Sequence, residues 1–396
     1  MRRPVAASAV LAVALLFLWS ASPGVGTVLG SADPATRALQ YLASQQRSDG
    51  SLDHAPGETE DFVLAAAAAG YDPATLRSCT GPTAYDFLAT QVAKAETSAG
   101  GTAKLILAVT VGRRDPHAFG GQDLVAHLDS LYVTTSGAYG DGATFGQSLA
   151  VLALKAVGQP VPSAALAHLE ALQDTDGSWS YQAAANATAG DTNSTAIALE
   201  ALAAGGVTTS DPVVSKALAW LHGQQNADGG FAYQAGPGAS SDPDSDALVI
   251  QGLVALGEDP TGATWTKNGK TVFSDLLSRQ APNGGFTFPG NPGPDPFTTS
   301  QVPAALVRVA LPEPATWTAG AAIPGVTCAA PKPTASLPAS HPTPAPTLPA
   351  TATAPGQARG GGTDSVLLAW PWLAALSALA LGGSVALDRR SHRPTE

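Results

Sequence analysis

Residues 172–181 read LQDTDGSWSY. The stretch is polar, turns at Gly177, and sits between two alanine-rich runs of helical character. Three relatives of it occur in the same chain: QQRSDGSL at 45–52, QQNADGGFAY at 224–233 and RQAPNGGFTF at 279–288. Their glycines, Gly50, Gly177, Gly229 and Gly284, mark a period. The gap between the first two has room for two weaker, turn-rich copies, AETSAGG at 95–101 and TTSGAYGDG at 134–142. Six units of roughly 40 to 55 residues result, the signature of a repeat architecture.

Each unit repeats one pattern. A first helix leads into the phrase, as over 34–46, 164–173, 213–225 and 272–280. In one of them Val213, Ala217, Trp220 and Leu221 recur at helical spacing. A second helix follows the turn, over 61–69, 102–111, 144–157, 194–204, 245–256 and 299–310. These second helices are almost wholly Ala, Leu, Val and Ile, and a helix apolar on most sides is buried on most sides. The fold class read from this pattern is all-α: six helical hairpins closed into an (α/α)6 toroid over 33–330, with the polar-faced helices outside. An open solenoid is the alternative, because a repeat count alone does not close a ring.

The chain has 396 residues, is 44% hydrophobic and carries a formal net charge of −11. Residues 1–32, with Arg2, Arg3 and an apolar run over 5–19, have the layout of a secretory signal peptide, with an uncleaved anchor as the rival. Residues 331–365 are rich in Pro and Thr and form a stalk. Residues 366–387 are an uncharged apolar run long enough for a transmembrane helix, and 388–396 form a basic cytoplasmic tail. LPATA at 348–352 loosely resembles a sortase signal but lacks its glycine. The expected localisation is an exported toroid anchored to the cell membrane in type I topology. No basic patch is left for nucleic acid. Cys79 and Cys328, in an exported chain, are expected to pair as a disulfide, with two buried thiols as the alternative. They follow the first and last inner helices, which are neighbours only in a closed ring.

QDTDGSW has the form Q-x-x-x-G-x-W and resembles the QW motif of the terpene cyclase and protein prenyltransferase superfamily; QRSDGSL, QNADGGF and QAPNGGF match it with Leu or Phe last. The resemblance covers about 33–312 and implies the α/α toroid. The chemical motifs of that superfamily are missing: no D-x-D-D acid motif, no zinc set with a cysteine at an inner-helix start, no G-C-G-E-Q thioester motif. DTNSTAIALEAL at 191–202 looks like the inner-helix openings of the cobalamin carriers of the intrinsic factor and transcobalamin type, secreted toroids without catalysis. Their β-rich second domain has no counterpart here.

Aligned by their apolar runs, the inner helices carry one polar position each: Asp61, Thr102, Gln147, Thr195, Asp246 and Gln301. In a toroid these form a ring at the mouth, with Asp191, Asn193, Asp242 and Asp244 at the rim. Helix capping is the competing account of the same residues, and it explains the two glutamines least well. Tyr139, Tyr181 and Tyr233 are candidates for a pocket wall, whereas Trp179, Phe231 and Phe286 read as packing residues. DPDSD at 242–246 lacks the glycine and glutamate an EF-type calcium loop needs, and no metal site is expected; His54 is a lone candidate ligand. These readings point to a surface toroid that binds a bulky amphipathic small molecule, cobalamin-like, with no required cofactor and with a membrane transporter as a possible partner. The alternatives are an enzyme on an isoprenoid or glycan with a non-standard acid such as Asp246 or Asp61, and a protein-binding module. A carboxylate pair of raised pKa inside the barrel would favour the enzyme.

Overall fold

The computed structural model describes residues 33–181, 190–234 and 239–326. The chain falls into two units, Met1–Ala32 and Asp33–Glu396. The signal segment, the stalk, the apolar run 366–387, the basic tail and Cys328 lie outside the described residues. Among the described residues no helix is long and apolar enough to cross a membrane, and Cys79 is not free.

Thirteen α-helices are described: α1 (Pro34–Gln45), α2 (Pro56–Ala68), α3 (Ala84–Thr90), α4 (Val92–Ala95), α5 (Ala99–Val111), α6 (Leu124–Ser130), α7 (Thr144–Ala156), α8 (Ser163–Ala171), α9 (Thr192–Ala204), α10 (Pro212–Gln224), α11 (Pro243–Ala255), α12 (Val272–Ser278) and α13 (Pro296–Leu306). The inner set is α2, α5, α7, α9, α11 and α13. Each packs on the next, and α13 packs on both α11 and α2, so the ring closes. The solenoid alternative is thereby excluded. The inner helices are buried nearly all round, whereas α10 buries only Val214, Ala217 and Leu221. That is the concentric arrangement the apolar runs predict.

Helix starts are written in the sequence as Asp-Pro. Asp33, Asp211, Asp242 and Asp295 cap α1, α10, α11 and α13, each accepting a first-turn N–H, with proline at the first helical position. Proline is suited there because its missing N–H has no partner to lose. Every inner helix except α7 begins earlier than predicted: α2 at Pro56 rather than 61, α5 at Ala99 rather than 102, α9 at Thr192 rather than 194, α11 at Pro243 rather than 245 and α13 at Pro296 rather than 299.

The repeated phrase is the corner between an outer and an inner helix. Gly177 has φ 98°, with the Lys216 carbonyl where a Cβ would stand. Asp176 accepts from the Ser178 N–H and closes the turn. Gln173 Nε2 donates to the Gly177 carbonyl and to the Val213 carbonyl of the next hairpin. Gln225 does the same with Gly229 and Trp265, and Gln280 with Gly284 and Pro34. The glutamine thus ties successive units, and Gln280 ties the last to the first. Replacing Gln280 by Ala should cost roughly 1–3 kcal/mol in denaturant unfolding, because it leaves buried carbonyls unpaired at the seam of the ring. A loss no larger than that of an exposed glutamine such as Gln45 would contradict this role.

After α13 the chain does not stop at the barrel wall. Residues 307–326 run back across the C-terminal ends of the inner helices as an irregular strap. Gln251 donates to the Val309 carbonyl, and the Leu311 N–H donates to Glu200 Oε1 at 2.6 Å. Arg113 donates to the Ala315 and Trp317 carbonyls and stacks 3.8 Å over the Trp317 ring. The Trp317 indole donates to the Val111 carbonyl, and Asp72 accepts from Gly320. The strap forms the floor of the barrel.

Candidate functional site

The predicted polar ring resolves into two different sets. Gln147 Oε1 accepts from the Tyr139 N–H, Thr195 Oγ1 from Trp179, and Asp246 Oδ1 from Phe231. The same bond is made by Thr59 to Leu52 and by Thr299 to Phe286. Thr102 Oγ1 donates to the Ser98 carbonyl at the start of its own helix and to the Ala95 carbonyl at the end of α4. These positions hold the corner residue against the inner helix; they do not face the axis. Thr59 and Thr299, not Asp61 and Gln301, are their true partners in the first and last units. The alignment slipped by two residues there because alanine-rich runs carry little phase information.

The slip explains what Asp61 and Gln301 do. Two residues beyond the corner set lie Asp61, Lys104, Leu149, Ile197, Leu248 and Gln301, one from each inner helix, and all six line the central cavity. Residues at i, i+4 and i+7 share a helix face. The axis-facing stripes therefore run Asn193–Ile197–Glu200 on α9 and Asp244–Leu248–Gln251 on α11. One turn towards the helix starts, the same register on the six inner helices holds Gly57, Gly100, Phe145, Asn193, Asp244 and Phe297, a mouth ring of which Phe145 lines the cavity. Below it, Glu313 and Leu311 of the strap complete the cavity floor. The walls are otherwise Leu64, Ala65, Leu107 and Ala304. The cavity has a volume of about 60 Å³, room for a few waters.

The other predicted residues lie outside the cavity lining. Asp191 caps α9, accepting from Ser194, and also accepts from the Tyr181 N–H. Tyr233 hydrogen-bonds to Asp191, whose pKa burial raises to about 6. Tyr139 is buried in the ribbon pairing Tyr132–Val133 with Ala138–Tyr139, its ring 4.9 Å from that of Tyr132. Tyr181 packs on Phe145 near the mouth, with centroids 6.0 Å apart. His54 is exposed and bonded to Asp49. Among the described residues no group of His, Cys, Asp and Glu is arranged to hold a metal ion.

The interior is acidic and short of donors. Lys104 Nζ makes a buried ion pair with Asp61 at 2.7 Å and donates to the Gly57 carbonyl. Burial pushes the Asp61 carboxyl up, and Lys104 pulls it back. Asp61 Oδ2 and Gln301 Oε1 are buried without a partner, as are both carboxyl oxygens of Glu313. Burial, then the negative charges of Glu200 and Asp61, hold the Glu313 pKa well above the usual carboxylate range. Burial raises Glu200 to about 8, the Leu311 N–H opposing. Glu60, buried on the outer side of the same helix as Asp61, is raised to about 8, chiefly by burial. Sequence reading missed Glu313 and Glu200. Glu313 lies beyond the last repeat, in LPEP, and its only signal was an acid between two prolines.

These shifts predict a pH profile of stability. Glutamate ordinarily ionises near 4.5, but Glu60 and Glu200 hold their protons to about 8 in the fold. Between those values the unfolded chain releases protons that the folded chain keeps. Stability is therefore full below about pH 4.5 and falls as pH rises towards 8. The carboxyls that the fold lowers, such as Asp49 at about 2, titrate below this window. The melting temperature should drop by roughly 5–10 °C from pH 5 to pH 8. Glu200→Gln, which stays neutral, should flatten the curve; an unchanged slope would contradict the assignment.

Comparison with known proteins agrees with the architecture. Residues 137–286 match the family model of the squalene-hopene cyclase C-terminal domain. No curated protein matches the chain. Among solved structures, an unsaturated glucuronyl hydrolase specific for heparin is 12% identical with TM-score 0.51, covering 69% of this chain and 95% of that one. The apo type II terpene cyclase MstE from Scytonema is 16% identical with TM-score 0.49, covering 69% of this chain and 96% of that one. Identities this low speak to fold alone. The closed double ring is an α/α toroid, and over residues 137–286 the chain is similar to the squalene-hopene cyclase C-terminal domain.

Proposed function

We propose that the protein is a toroid enzyme that protonates an apolar, chain-like alkene of the isoprenoid class, with Glu313 as the acid. The carrying observation is a fully buried carboxyl, both oxygens unpartnered, at the floor of an aliphatic cavity. A carboxyl so placed stays neutral at pH 7 and has a proton to give. Asp61, held by Lys104, is a second carboxyl in the same cavity and the one suited to stay charged. Glu313 transfers its proton to one alkene carbon, and the π electrons form the new C–H bond. The cation at the other carbon, directly or after attack by a further double bond has closed a ring and moved the charge, ends by losing a neighbouring proton to Asp61, and solvent returns the proton to Glu313. The net change is an isomerisation or cyclisation, and no oxidant or metal enters.

Cavity size favours this substrate over the cobalamin-like ligand expected from sequence. A space for a few waters admits the end of a slender chain and not a corrin macrocycle. The glycan alternative uses the same two carboxyls, but aliphatic walls offer sugar hydroxyls few partners. Export, membrane tethering, the Cys79–Cys328 disulfide and a transporter partner remain part of the proposal for the whole chain.

The test is incubation of the full chain with squalene or geranylgeraniol in D2O. Products carrying one solvent deuterium per turnover are expected by mass spectrometry. Unlabelled, unchanged alkene together with cleavage of an unsaturated heparin disaccharide would overturn the reading in favour of the glycan enzyme.

A further inference from the structure

Among the described residues, the buried atoms left without a partner at the axis-facing positions are carboxyl or amide oxygens, Glu200 Oε2 included. Asn193 Oδ1 and Asp244 Oδ1 join those of Asp61, Gln301 and Glu313. Apart from the acid proton on Glu313 no donor is offered there, and Lys104 is the cation paired with Asp61. Asn193 and Asp244 occupy the same register position on α9 and α11, which pack against each other. Asp244 is only 6% exposed, and it lies on the stripe of Leu248 and Gln251, which face the cavity. On either side of the pair the mouth ring carries an aromatic residue, Phe145 on α7 and Phe297 on α13. Burial, then the charges of Asp242, Asp295 and Asp61, push the Asp244 carboxyl well above the usual carboxylate range, with a hydrogen bond from Thr298 opposing, so a cation seated beside it would favour its ionised form.

We infer that the mouth ring is a site for an organic ammonium group, held by Asp244 and Asn193 between the aromatic residues Phe145 and Phe297. An ammonium supplies the donors these oxygens lack, and aromatic faces attract organic cations. The acidic surroundings repel a diphosphate, so the substrate's polar head is an amine rather than a phosphate. A metal ion is the poorer fit, since the described acids do not converge in a metal-binding group. The inference rests on reading the barrel as a substrate chamber. Four residues of helix separate the mouth ring from the Asp61–Lys104 ring, about 6 Å. A head group held at Asp244 therefore places a chain of a few carbons beside that pair, with its far end towards Glu313.

Calorimetric titration of the full chain with n-hexylammonium and with n-hexyl phosphate tests it. Hexylammonium should bind and hexyl phosphate should not. Asp244→Asn should weaken hexylammonium binding at least tenfold, and Phe145→Leu, an aliphatic change that leaves Asp244 in place, by a smaller factor. Calcium and sodium titrated alone form the comparison arm. Tight calcium binding that excludes hexylammonium would overturn the proposal in favour of a metal site. Equal binding of both hexyl compounds, or of hexylammonium to wild type and both variants, would overturn it outright. If hexylammonium fails to bind while alkenes are labelled in D2O, this inference falls and the proposed reaction stands. Binding without alkene labelling gives the reverse.

Discussion

Glu313→Gln is expected to lower alkene protonation by about 10²–10⁴-fold, the range general acids contribute, while leaving the protein folded. The substitution keeps the shape of the side chain and removes its transferable proton. It should not unfold the barrel, because Glu313 is already neutral in the fold and makes no side-chain hydrogen bond there. The expected thermal signature is an unchanged or slightly raised melting temperature above pH 7, where the wild-type acid would otherwise have to stay protonated. Glu200→Gln is the informative companion. Glu200 bonds the Leu311 N–H and so positions the strap, and its charge is one cause of the raised Glu313 pKa. Its loss should shift the pH profile of turnover downward and lower the rate less than the Glu313 change. Turnover by Glu313→Gln within threefold of wild type would remove Glu313 from the mechanism.

The parts of this molecule differ in how far the sequence announces them. The hairpins are legible because their information is local: a glutamine, a turn glycine and a corner aromatic recur at fixed offsets, and each glycine adopts the positive φ that the phrase implies. Closure was legible only as a preference, and Gln280 reaching the Pro34 carbonyl is what settles it. The axis-facing set was misplaced by two residues in the first and last units. Runs such as VLAAAA in α2 fit a helix in any rotation, and α2 starts at Pro56 with no capping side chain to mark its phase. Gln147 and Asp246 looked like ligand contacts because they are polar amid alanine. They are polar because a buried N–H of the corner must be met. Glu313 was beyond reach for another reason. Its partner Glu200 is in a different repeat, and nothing local shows that a proline-flanked acid after the last helix turns inward.

The Asp61–Lys104 pair gives the second large effect. Lys104→Met should destabilise the fold by roughly 3–5 kcal/mol at pH 8, the cost of leaving a buried charge uncompensated. Both side chains are well shielded, 5% exposed for Lys104 and 13% for Asp61. Glu60 also depends on this ammonium, whose charge opposes the burial that raises its pKa. The sign of the pH dependence follows from the partner left behind. Without Lys104 the Asp61 pKa rises further, so the carboxyl can escape the penalty by taking up a proton. The destabilisation should therefore shrink markedly at pH 5. Asp61→Asn combined with Lys104→Met removes the unpaired charge altogether and should recover most of the lost stability at pH 8. Full recovery of stability would be accompanied by loss of turnover if Asp61 accepts the proton from the cation, which separates its chemical role from its structural one. A double variant as unstable as Lys104→Met alone would show that the lysine acts through its bond to the Gly57 carbonyl instead.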